Sequence, residues 1–169
     1  MSVEATVRDY YEALRRGDLL SPYFAEREEV VKFGVGERLA GYEAVADGLR
    51  EQTRTTADWQ VESSDLRVVS RETVAWFTDD VAMSWTGSER AEETDASGSE
   101  TRHSFETRWS GVLERDAGEG NAGDDSDRET GDDGESGNDD GESRTSDDSE
   151  RDEPDWRFVQ MHVSAPHEL

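Results

Sequence analysis

Few side chains in this sequence could do chemistry, and they lie far apart. The three histidines, His103, His162 and His167, include no pair spaced to put two metal ligands on one turn of helix. Cysteine is absent, which removes disulfides, thiolate metal sites and a cysteine nucleophile together. No glycine-rich loop follows a strand-like run to cradle phosphate, and no serine sits in a nucleophile elbow. Clusters such as Asp124-Asp125-Ser126-Asp127 and Asp132-Asp133-Gly134-Glu135 supply oxygen ligands without EF-hand spacing, so they read as solvated, and neither a metal nor a cofactor is expected. What remains is a sparse set of cations and polar groups among aromatics. Lys32 is the single lysine, Arg108 precedes Trp109, and Gln160 and His162 share a strand face with Trp156 and Phe158.

The elements that must position these residues follow from hydrophobic period. Val3, Val7, Tyr10, Tyr11 and Leu14 recur at spacings of three and four, predicting a helix over 3–16 with Ser2 as its cap and Gly17 as its end. Asp18 can cap a short second helix containing Leu19, Leu20, Tyr23 and Phe24, with Pro22 in its first turns. Val30, Val31 and Phe33 predict a brief strand stopped by Gly34 and Gly36. Tyr42, Val45 and Leu49 predict a third helix over 42–53. From Ala57 the period becomes two: Trp59 and Val61, Leu66 and Val68, Val74 and Trp76, then Val81, Met83 and Trp85 alternate with polar or small residues. Phe105, Trp109 and Leu113 continue that pattern, and 156–163 supplies a last strand. Helices followed by long strands indicate an α+β layer, with a polar loop over 87–100.

Residues 116–155 differ in kind. These 40 residues hold 18 acids, three arginines, two alanines and no aromatic, too little apolar surface to offset the entropy of ordering. The segment is expected to be a disordered acidic hairpin loop, since both flanks read as strands. One domain made of 1–115 plus 156–169 then surrounds an insertion. The whole chain carries a net charge of −25, which repels nucleic acid and anionic membrane surfaces. The N-terminus lacks the pattern of a secretion signal, so a cytoplasmic protein is expected. One lysine, no isoleucine and acid spread through the folded parts look like a protein of an extreme halophile, where molar salt shortens the Debye length to about 3 Å.

Several segments together resemble a known family. The helix 3–16 ending in Arg16-Gly17-Asp18, the start Gly41-Tyr42-Glu43, Val74-Ala75-Trp76-Phe77, Arg108-Trp109-Ser110-Gly111-Val112-Leu113, and Trp156 to Ser164 are similar to the SnoaL-like branch of the nuclear transport factor 2-like superfamily. The last strand is also similar to that of the association domain of calcium/calmodulin-dependent protein kinase type II. The resemblance implies a cone: three N-terminal helices against a strongly curved mixed sheet, a pocket at the wide end, and a homodimer. It places Tyr10 where isomerases of the superfamily carry an oxyanion donor, and Lys32 where they carry an aspartate base, which speaks against that mechanism. It further implies that Tyr10, Lys32, Trp76, Arg108, Gln160 and His162 line one pocket, with Lys32 and Arg108 holding the carboxylate of a small, partly apolar ligand. Two other readings compete: an isomerase or cyclase using His162 as acid or base, and a dimerisation scaffold whose cone is filled by side chains.

Overall fold

In the computed structural model, residues 1–88, 100–116 and 156–167 are described. The first helix, α1 (Val3–Arg16), begins where the Ser2 hydroxyl accepts from the Ala5 amide at 3.1 Å. It ends at Gly17, whose φ of 69° lets its amide turn back onto the last carbonyls without a Cβ penalty. Its stripe of Val3, Val7, Tyr10, Tyr11 and Leu14 is buried. The expected second helix is corrected to a single 3-10 turn, Ser21–Tyr23. Pro22 lacks the amide that would extend it, and Phe24 is instead drawn into a parallel bridge with Phe158. Two α-helices are therefore present among the described residues, the second being α2 (Tyr42–Thr55).

Among the described residues there are seven strands, two before α2 and five after it: β1 (Val31–Phe33), β2 (Arg38–Ala40), β3 (Thr56–Ser63), β4 (Arg67–Ser70), β5 (Val74–Ser88), β6 (Glu100–Arg115) and β7 (Trp156–Ser164). The sheet order is β2-β1-β7-β6-β5-β3, with β4 also pairing β5. Only β1 and β7 run parallel, so the curved sheet is mixed. Of the expected polar loop over 87–100, Gly87, Ser88 and Glu100 belong to strands, and the rest lies outside the described residues. The expected acidic insertion, apart from Asp116, also lies outside them.

The inner sheet face carries the core. Ala75, Phe77 and Val81 of β5 and Trp109 and Leu113 of β6 lie beside Phe158, Met161 and Val163 of β7, all buried. Tyr10 meets Phe158 edge to face at 5.3 Å and Tyr11 meets Trp109 likewise at 5.3 Å, so α1 is seated on β6 and β7. One acid shares this face. Asp79, 4% exposed, accepts from the Tyr11 hydroxyl at 3.0 Å and the Asp65 amide at 3.1 Å, which satisfies a charge that burial would otherwise make costly.

The alternation along β7 is broken once. Val112 pairs with Gln160 but Leu113 pairs with Phe158, leaving Val159 as an extra residue on β7. Such a bulge reverses which face the following residues occupy. Trp156 and Phe158 are buried inward, and so are Met161 and Val163, whereas Gln160 and His162 face outward.

Candidate functional site

A cavity of about 430 Å³ opens between α1, the β1–β2 hairpin, α2 and the sheet. Its wall is largely aromatic and aliphatic: Leu14, Trp59, Met83, Trp85, Trp109 and Val163. Trp59 and Trp85 stack at 4.7 Å with their planes 16° apart, giving a flat surface. Trp59 is held in that pose by its indole N–H, which donates to the Thr56 hydroxyl at 2.8 Å. A bulge at Asp58, where φ is 52°, breaks the register of β3 just before this residue.

The polar end is small. Tyr10 is 1% exposed and its hydroxyl makes no hydrogen bond to another described residue. Burial raises its pKa well above the ordinary phenol value, and the negative charge of Glu37 raises it further. The group therefore stays a neutral hydroxyl, able to donate to an oxygen in the cavity. Lys32, 5% exposed, projects from β1 into the same space and gives a 2.9 Å hydrogen-bonded ion pair to Glu37 at the end of the hairpin turn. An ammonium has three donors, and this contact uses one. Glu37 is thus common to both groups: it pairs with Lys32 and is the charge felt at Tyr10.

Of the six residues expected around one pocket, Tyr10 and Lys32 do share this cavity. The other four are corrected. Trp76 is 41% exposed on the outer face, with the Arg71 guanidinium 5.6 Å from its ring centre. β5 keeps one parity from Ala75 to Trp85, so Phe77, not Trp76, points inward. Arg108 alternates with inward Thr107 and Trp109 and is exposed on the outer face. Gln160 and His162 follow it there because of the Val159 bulge. Arg108 and His162 border a separate cleft of about 260 Å³ together with Asp65, Asp80 and Ser110. The sheet thus separates Lys32 from Arg108, and a carboxylate cannot bridge them. An acid or base role for His162 in the cone loses its geometry as well, since its ring lies by Phe33 at 5.4 Å.

Four contributors went unassigned in the sequence. Trp59, Trp85 and Trp109 were legible as inward residues from their alternation, but tryptophans in strands are core at least as often as cavity wall. Glu37 follows a Gly-Val-Gly turn, and nothing in its local sequence says that it folds back onto Lys32. Among the described residues, no group of three or more His, Asp or Glu side chains is placed to hold a metal ion. No described helix is long and apolar enough to cross a membrane.

Comparison with known proteins agrees with this architecture. The family model of the SnoaL-like domain matches residues 3–119. Among solved structures, a candidate dehydratase of the nuclear transport factor 2-like family from Streptomyces avermitilis superposes with a TM-score of 0.62 at 17% identity, over 98% of this chain and 95% of that one. A nuclear transport factor 2-like superfamily protein from Salmonella enterica gives 0.59 at 13% identity, over 98% and 89%. A candidate calcium/calmodulin-dependent protein kinase type II association domain from Thiobacillus denitrificans gives 0.58 at 15%, over 98% and 96%. At these identities the likeness establishes the fold alone. No curated protein matches the chain.

Proposed function

Because the chain belongs to the SnoaL-like domain family, we propose that its cone binds a small, mostly apolar molecule and receives that molecule's oxygen at Tyr10 and Lys32. The observation that carries this reading is Lys32 itself. An ammonium removed from water costs several kcal/mol unless it is well compensated. Here the carboxylate opposite it is half in solvent, its side chain 47% exposed, and a tyrosine hydroxyl without a hydrogen-bond partner among the described residues belongs to the same cavity wall. A ligand oxygen would satisfy both donors while its apolar body lies against Trp59, Trp85 and Trp109. The unfilled cone also counts against a role as scaffold alone.

Tryptophan emission provides the assay, because three of the five tryptophans line the cavity. Titration with methyl naphthyl ketone, a flat apolar body bearing one carbonyl, is expected to quench emission saturably. Lys32→Met should weaken binding about tenfold, the worth of one charge-assisted hydrogen bond. Quenching that is linear in ketone, or identical in the variant, would contradict the proposal. For the outer face, the exposed Trp76 supports pairing with a second copy of the chain. Sedimentation in high salt would report a dimer; a monomer at micromolar concentration would rule that out.

A further inference from the structure

We infer that Glu37 sets the charge class of the ligand: it holds the cavity for neutral carbonyl compounds and against carboxylates. This rests on the cavity being a binding site, as proposed above. Lys32 taken alone would attract an anion. In the folded protein the half-exposed Glu37 carboxylate already lies 2.9 Å from it and offsets part of its charge. A carboxylate entering beside Lys32 would meet Glu37 within a few ångströms and face like-charge repulsion. A ketone oxygen carries no net charge. It can accept from the Tyr10 hydroxyl and from a remaining ammonium proton while the Lys32–Glu37 pair stays intact. Repulsion of the unwanted ligand, rather than extra attraction for the wanted one, is then the source of selectivity.

A second observation shows how Glu37 is brought there. A Cβ built on Gly34 would lie 2.8 Å from Glu37 Cγ and 2.9 Å from its Oε1. The missing side chain at position 34 is the space in which the Glu37 side chain lies back across the turn toward Lys32. The turn is closed by the Gly34 amide donating to the Glu37 carbonyl at 3.0 Å, so the backbone of residue 37 is fixed while its side chain depends on that space. Gly34 is not at positive φ, and alanine there would strain no backbone angle. Gly34→Ala should therefore push the carboxylate off Lys32 without changing the charge of the protein.

The experiment compares methyl naphthyl ketone, naphthoate and naphthalene by tryptophan quenching, at constant ionic strength. Wild type is expected to prefer ketone over naphthoate by at least about tenfold, a modest share of the cost of two facing carboxylates. Glu37→Gln should raise the affinity for naphthoate relative to ketone about tenfold or more, because a full negative charge beside the freed ammonium responds more strongly than a carbonyl dipole does. Gly34→Ala should shift naphthoate in the same direction, which separates displacement of the carboxylate from any general effect of removing an acid. Tyr10→Phe should weaken the ketone and leave naphthalene unchanged. Should wild type bind naphthoate as tightly as ketone, or should neither Glu37→Gln nor Gly34→Ala alter the ratio, Glu37 does not set selectivity, although the cavity would remain a binding site. Absence of saturable binding by all three probes in every variant would overturn both this inference and the binding proposal. If Glu37→Gln does not fold, the double variant K32M/E37Q, compared with Lys32→Met alone, removes the Glu37 charge without stranding the ammonium and should lose most of the single variant's preference for ketone; an unchanged preference would overturn the inference.

Discussion

A residue kept for binding rather than for folding should reveal itself in stability, and Lys32→Met makes that test quantitative. Lys32 is 5% exposed and has one carboxylate partner, Glu37, whose side chain is half in water. Methionine matches the length of the lysine stem and carries no charge to desolvate. Glu37, once unpaired, can turn to solvent at little cost. Replacing buried ionic groups by apolar ones of similar size is commonly neutral or stabilising by roughly 1–4 kcal/mol for a whole pair. Only one member is replaced here and its partner was never fully buried, so a gain of about 1 kcal/mol is the appropriate figure. In a domain of this size that corresponds to a rise in Tm of about 4 °C. Glu37→Gln should do the opposite, by about 1 kcal/mol, since it leaves the buried ammonium without its counter-charge. Thermal denaturation followed by far-ultraviolet circular dichroism reads both. A Lys32→Met protein destabilised by more than about 1 kcal/mol would mean that the ion pair holds the hairpin in place, and the argument from a poorly compensated ammonium would fail.

Three further outcomes are expected. Tyr11→Phe removes one of the two hydrogen bonds to buried Asp79 and should cost about 2 kcal/mol by urea denaturation; an unchanged midpoint would show that the contact contributes nothing. Burial raises the phenols of Tyr10 and Tyr11 above their ordinary value of 10.0, with the Asp79 carboxylate raising Tyr11 further. Their contribution is complete below about pH 10 and is lost as pH climbs from there toward the higher folded-state values, so stability should fall in alkali and fall less steeply in Tyr11→Phe; equal slopes would contradict this. A net charge of −25 predicts a higher Tm in molar KCl than in dilute buffer, and a flat salt response would remove the basis for reading the composition as halophilic.

Both helices with strong 3.6-residue period were legible in sequence, because Val3 to Leu14 and Tyr42 to Leu49 each bury one stripe. The three-residue β2 had no pattern long enough to read, and Pro22 reduced an expected helix to one turn. The site was legible by half. Tyr10 and Lys32 sit on elements whose inward faces are set by neighbours in sequence. Arg108 could have been placed outward from Phe105, Trp109 and Leu113, whose odd parity it breaks, and Trp76 likewise from Val81, Met83 and Trp85. Gln160 and His162 could not, since the face they occupy depends on a bulge at Val159 that only pairing with β6 creates. Glu37 reaches the cavity through a turn whose geometry rests on the absent side chain of Gly34, a spatial fact with no periodic signature.

The central claim is that a buried ammonium and a buried hydroxyl receive a ligand's oxygen in the cone. Lys32 is the single lysine of the chain, so protein labelled with nitrogen-15 only at lysine side chains has one Nζ resonance and needs no assignment. The account predicts a signal protected from exchange with water, as befits a 5% exposed residue, that shifts and saturates as methyl naphthyl ketone is added and does not move with naphthalene. A resonance exchanging like that of a free lysine, or one unmoved by saturating ketone, would contradict it.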